Sequence, residues 1–265
     1  MKKNGQHIII WAVLAFLYLP ILILAFYSFT ESTMIGSVRG FSVNNYITLF
    51  TEPELLKMMF GTLSLAVIVG VLSVLLGTTG AVGAFYGKKG VRRVMEIFNQ
   101  VPVVNADVVT GFSICIFLIV LLHLDKDTYI PLVAAQTALC TPFVYLSVMP
   151  RLKMMDNSLY EAALDLGCDP GKALRKVVLP QIGPGIVSGF MTAITLSLDD
   201  YFIATYTKPA TFDTISTYVV NATRGAQTNI KTALWALSAV MFVIVVLVVA
   251  AANLKSSQVE ENVRL

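Results

Sequence analysis

The chain has 265 residues, 56% of them hydrophobic and only 13% charged, with a formal net charge of +3. A soluble domain carries about 25% charged residues, so the composition excludes an ordinary soluble enzyme and indicates an integral membrane protein. The small positive balance gives no sign of a nucleic-acid surface. The three cysteines, Cys115, Cys140 and Cys168, show neither disulfide-framework nor zinc spacing.

In chain order, apolar runs fall at about 8–28, 61–86, 101–122, 129–149, 186–206 and 232–252. Each approaches the ~20 residues that cross a hydrocarbon core as a helix. The pattern predicts an all-α integral membrane protein with six transmembrane helices. The first run follows Lys2 and Lys3, but it is too long for a signal peptide and no A-x-A site follows it, so it is expected to be retained. With both termini cytoplasmic, thirteen basic residues fall inside and six outside, as the positive-inside rule requires. Under that topology His7 and His123 lie at opposite faces and cannot share a metal, and "KKGVRR" reads as a topology anchor.

Asp107, in "VNADVVTG", opens the third run and is an acid placed to approach the membrane interior. Beyond the fourth run, residues 151–180 form a long polar segment predicted as two short cytoplasmic helices. Ser158 and Glu161 fit a capping box, Gly167 a left-handed C-terminal cap, and Asp169 with Pro170 a second helix start. Leu179 and Pro180 are expected to end that second helix. The first small helix sets Leu159, Ala162, Ala163 and Leu166 at helical spacing. Two readings stand: a surface helix with Glu161 as a simple cap, or a docking face on which the alanines admit another protein. "GCDPGKA" is one residue short of a phosphate loop between its glycines and lacks the hydroxyl after Lys172, so it is not an ATP site.

The fifth run contains "TLSLDDYFIATY", with Asp199 and Asp200 adjacent. At a helix centre the two would cost about 5 to 7 kcal/mol on the insertion scale, which cancels the helix's own apolar gain. They are therefore expected to face protein or a water-filled path. Neighbouring helical residues project about 100° apart, so one carboxylate faces the path while the other is held by a helix partner, a backbone donor or the path's edge; the sequence does not say which, and a helix-packing or gating lock is the competing reading of the pair. Tyr201, Tyr206 and Tyr218 are candidate aromatic faces for a cation, with an interfacial anchor the competing reading for Tyr206 and Tyr218. Neither acidic site has an aspartyl-protease context and no Ser/His or Cys/His constellation is present in the sequence, so the residues offer no enzyme active site.

"EAALDLGCDPGKALRKVVLP", Glu161 to Pro180, resembles the signature loop of bacterial ABC importer permeases: E-A-A, three residues, G, nine residues, I, one residue, L-P, with Val177 in place of isoleucine. "LYLPILILAFYSFTES", "VPVVNADVV" and "TLSLDDYF" extend the resemblance to the C-type permease subunits of spermidine/putrescine importers. The resemblance implies a type I ABC importer permease fold in a bacterial cell membrane. It implies that Glu161, Ala162, Ala163, Leu166 and Gly167 couple to an ATP-hydrolysing subunit, and that Asp107, Asp199, Asp200 and Tyr201 line a polyamine path. Implied partners are a B-type permease subunit, two ATPase subunits and an extracellular or periplasmic polyamine-binding protein. This chain itself is expected to bind no cofactor and no metal, ATP and magnesium belonging to the ATPases. The alternatives are the same fold carrying another substrate, such as ferric iron or thiosulfate, and, more remotely, a proton-coupled secondary transporter.

Overall fold

The computed structural model describes residues 3–30, 40–105, 107–224, 234–247 and 249–250. The elements are α1 (Lys3–Ser28), α2 (Asn44–Thr51), α3 (Pro53–Tyr86), α4 (Lys89–Val104) and α5 (Asp107–Cys115), which runs into a π-helical stretch at Ile116–Leu121. They continue with α6 (Ile130–Met154), α7 (Asn157–Asp165), α8 (Pro170–Ala173), a π-helical stretch at Leu174–Val178, α9 (Leu179–Asp199), α10 (Phe202–Thr207), α11 (Ile215–Arg224) and α12 (Leu234–Leu247). Among the described residues, four helical stretches are long and apolar enough to cross a membrane: Ile9–Ser28, Pro53–Tyr86, Ile130–Met154 and Pro170–Asp199. A fifth is obtained if α4 and the α5 segment, bent by 111°, count as one span.

These helices differ from the sequence expectation in three places. The third run is not one straight helix, because Asn105 turns extended at the end of α4 and its side chain donates to the Thr110 hydroxyl at 3.1 Å. The fifth stops at Asp199 instead of running on to 206. The helix begun at Pro170 does not end at Leu179–Pro180. Pro180 brings no N–H and crowds the preceding turn, and the widened π turn just before it, closed by Leu179 N–H to the Leu174 carbonyl, lets the helix continue.

The described chain divides into two compact units. One comprises residues 1–59 and 218–247. In it the end of α1 is held by Asn45, whose amide donates to the carbonyls of Ser28 and Thr30 at 2.9 and 2.8 Å, and Phe29 packs on Tyr46 with ring centroids 4.9 Å apart.

The second unit holds α3 from Phe60 onward and everything to Thr217. Its core is an antiparallel pairing of α6 and α9, read as rungs four residues apart on each helix. Gln136 meets Ser197, Cys140 meets Ala193, Val144 meets Gly189, and Ser147 with Arg151 meets Gly185. Lipid tails are as apolar as leucine, so helices in a membrane associate through close packing and buried polar contacts. Small residues supply the closeness here: a Cβ added at Gly189 would fall 3.0 Å from Val144, and one at Gly77 of α3 would fall 2.7 Å from the same side chain. Val144 is thus clamped between two glycine surfaces and is fully buried, as are Leu132, Val148, Leu152 and Ile182. At one end of α6, Lys153 reaches Glu96 of α4 at 3.1 Å, and Arg92 joins the same carboxylate at 3.3 Å.

Candidate functional site

The acidic pair sits where α9 stops and α10 begins. Twenty-one residues of α9 rise about 31 Å, close to the thickness of a hydrocarbon core, so the pair lies at the end of its helix and not at the centre. A restarted helix presents backbone N–H groups with no partner of their own, and in a membrane such groups must be satisfied by protein. Asp200, extended at φ −66 and ψ 115, does this. Its Oδ1 accepts from the Ile203 N–H and its Oδ2 from the Ala204 N–H, each at 3.0 Å. Oδ2 also accepts from Gln136 Nε2 at 2.8 Å, and the Ser197 hydroxyl donates to Gln136 Oε1 at 2.8 Å. The last turn of α9 is closed separately, by the Ser216 hydroxyl donating to the Leu198 carbonyl at 2.7 Å.

Asp199 differs from its neighbour. It is exposed, and among the described residues nothing hydrogen-bonds its carboxylate. Asp107 is the exposed first residue of α5. Gly111, one turn on, lies against Ile203 of α10, with an added Cβ falling 3.1 Å from that side chain, so Asp107 opens a helix packed on α10. Tyr201, half-buried, meets Phe202 edge to face at 5.2 Å. The four residues singled out for a substrate path therefore occupy elements that meet at one helix break. The Tyr206 ring packs on Phe112 at 5.7 Å. Gln136 and Ser197 did not emerge from the sequence; the available signal was a polar amide inside an apolar span.

The loop after α6 is built differently. Asp156, not Ser158, caps α7: its Oδ1 accepts from the Ser158 N–H at 2.9 Å, which puts Ser158 inside the first turn as a donor. The Ser158 backbone N–H, with its hydroxyl, holds the Asp156 carboxyl below the usual carboxylate range. Glu161 is consequently not part of a capping box and is exposed. Gly167 adopts φ +82, and the Gly167 and Cys168 N–H groups bond back to the carbonyls of Leu164 and Ala163 at 2.9 and 3.0 Å. That is a Schellman ending, for which glycine is the natural residue. Tyr160 leans on Tyr86 of α3 at 4.9 Å and anchors one side of α7. Ala163 is half-buried, while Leu159 and Leu166 are 48% and 87% exposed and Ala162 is exposed. Glu161, Ala162, Leu159 and Leu166 form an outward surface around this short helix.

The family described as binding-protein-dependent transport system inner membrane component matches residues 73–257. Similar proteins include the putrescine transport system permease protein PotI of Escherichia coli strain K12, 30% identical over 84% of this chain and 82% of its own length. The spermidine/putrescine transport system permease protein PotC of Haemophilus influenzae is 30% identical over 78% of this chain and 80% of its own. PotC of Escherichia coli strain K12 is 32% identical over 74% and 73%. Among solved structures, a bacterial alginate ABC transporter in complex with an alginate-bound periplasmic protein aligns with a TM-score of 0.71 at 18% identity, covering 97% of this chain and 93% of that one. An inward-facing MetNI methionine ABC transporter aligns with a TM-score of 0.62 at 16% identity, covering 78% and 96%. The fold is that of ABC transporter permeases, and the chain is a multi-pass protein of the bacterial membrane. With a family match across most of its length, this chain belongs to the binding-protein-dependent transport system inner membrane components, the permease subunits of ABC importers.

Proposed function

We propose that the chain is one half of the permease pair of an ATP-driven polyamine importer, with six transmembrane helices and both termini in the cytoplasm. The placing of Asp107 and Asp199 beside the helix break that Asp200 holds carries the cargo assignment. A polyamine is a chain of ammonium groups separated by methylenes, and it needs spaced carboxylates with an aromatic face nearby. Tyr201 offers that face. Importers of anions would set basic groups or half-helix N-termini at the corresponding place, and acids stand there instead. The permease relatives for putrescine and spermidine/putrescine support the same cargo.

In this reading a B-type permease completes the path, a polyamine-binding protein delivers substrate, and two ATPase subunits hold ATP and magnesium. The outward surface of α7 couples to an ATPase: Leu159 in the first turn and Leu166 at the C-cap are large apolar side chains held out from a short, anchored helix, with Glu161, Ala162, Ala163 and Gly167 shaping the contact. Closure of the ATPases on ATP would move α7, and α9 begins fourteen residues after α7 ends.

Uptake of labelled spermidine and putrescine by cells carrying the whole transporter tests the proposal. Asp199→Asn at matched membrane levels is expected to lower uptake at least about ten-fold, the scale of one lost charge-assisted contact, with the complex still assembled. Glu161→Ala is expected to weaken association with the ATPase. Failure of the intact complex to move either polyamine would remove the cargo assignment and leave the family untouched.

A further inference from the structure

We propose that Gln136 is a positioning residue for the α9–α10 break: with Ser197 it fixes the Asp200 carboxylate as a structural clasp, and leaves Asp199 as the carboxylate of the pair that meets the cation. The proposal rests on the transport reading for the role of Asp199 alone; the clasp stands on geometry.

Gln136 and Ser197 are buried at 0% and 2% exposure and form the last rung of the α6–α9 pairing. A carboxylate only accepts, so Gln136 must turn its NH2 toward Asp200 and its oxygen toward the Ser197 hydroxyl, the arrangement observed. Every atom of the amide that is engaged faces a complementary group, and the clasp ties three elements, α6, α9 and α10, to a single carboxylate. Asp199 cannot join it. Two residues beyond Ser197 on the same helix, it projects about 200° away from the face that meets α6. Asp200 reaches back only because its backbone has left the helical conformation. The adjacent acids are therefore divided by the helix itself: one is turned inward and saturated with donors, the other outward and unbonded.

This division makes opposite predictions for removal of charge at the two positions. In Asp200→Asn the oxygen can still accept from Ile203, and Gln136 can rotate its amide to accept from the new NH2 while donating to Ser197, so that of the bonds to this side chain only the one from the Ala204 N–H is lost. Charge is dispensable there and shape is not. In Asp199→Asn the charge itself is lost.

The full importer is assayed in two ways, by polyamine uptake and by amide hydrogen exchange over residues 201–205 of the purified complex. Expected results are uptake by Asp200→Asn within about three-fold of the intact chain, and at least about ten-fold faster exchange at Ile203 in Gln136→Leu, the scale of one lost buried hydrogen bond. Gln136→Glu, which sets two carboxylates face to face, should show the same fast exchange and should be restored by adding Asp200→Asn. Asp199→Asn should abolish uptake and leave exchange unchanged. If Gln136→Leu does not assemble, the Gln136→Glu variant with and without Asp200→Asn decides. The clasp is overturned if that second change restores nothing, or if exchange at Ile203 is unmoved in an assembled Gln136→Leu complex. The division of roles is overturned if Asp200→Asn and Asp199→Asn lose uptake equally. Absence of uptake by the intact importer would refute the cargo reading, while the exchange results would still judge the clasp.

Discussion

At its C-terminal end α9 stops in a set of bonds that satisfies Asp200, Gln136, Ser197 and the first amides of α10 together. At its N-terminal end the chain leads back through a π turn and a four-residue helix to α7, which carries leucines 48% and 87% exposed and a glutamate with no described partner. One end is closed on itself by hydrogen bonds, which are directional and fix a geometry. The other keeps apolar surface uncovered, which is non-directional and suits contact with a separate surface. A bonded, saturated polar group signals a held shape, and an uncovered apolar one signals a missing neighbour.

The largest expected effect comes from breaking the pairing that joins the two ends. Gly189→Leu drives a side chain into Val144, whose Cα lies 3.2 Å from the new Cβ. Overpacking of this kind costs about 1–3 kcal/mol or more, and the variant should lose its monodisperse peak on size-exclusion chromatography. Gly83→Leu, where a Cβ meets nothing within 4 Å, should keep it. Next is Ser197→Ala, which strands the buried oxygen of Gln136 and is expected to destabilise by about 1–3 kcal/mol, read as a lower thermal midpoint of the purified complex. Leu166→Glu should shift that midpoint little, within about 0.5 kcal/mol as for surface changes generally, yet lower recovery of the ATPase in pull-downs. The smallest effect concerns Asp156. Its carboxyl is held below its usual range by Ser158 in the folded loop, so the cap is fully present above the ordinary carboxylate pKa and is lost as pH falls through the depressed folded value. Amide exchange at Ser158 should therefore lose protection only in strongly acidic buffer, and an Asp156→Ala chain should show no such acid step.

Four of the six expected spans were legible because hydropathy is a sum over twenty residues and tolerates local error, while the sixth is described only as the shorter helix Leu234–Leu247. Gly167 was legible for a different reason: its left-handed φ is a property of one residue type. The helix break was not, since an aspartate inside an apolar run reads equally as a charge to be sheltered and as the cap of a restarted helix. Gln136 was missed because its partners lie 61 and 64 residues away, a separation at which sequence periodicity carries no information. The assignment of the cap to Ser158 failed on a competition between two adequate capping residues, Asp156 and Ser158, that only the backbone at the turn resolves. The acids of the candidate site were thus visible as residue types, while their division into a bonded and an unbonded one required the fold.

The uninterrupted passage from Pro170 through the π turn to Asp199 has a mechanical meaning. Thirty helical residues form a rod about 45 Å long, and a tilt of about 5° at its base would carry the tip about 4 Å. With α6 packed along it rung by rung, the rod does not swing alone. Its lever arm ends at Asp199, so a displacement applied at α8 is delivered, magnified, to the unbonded carboxylate.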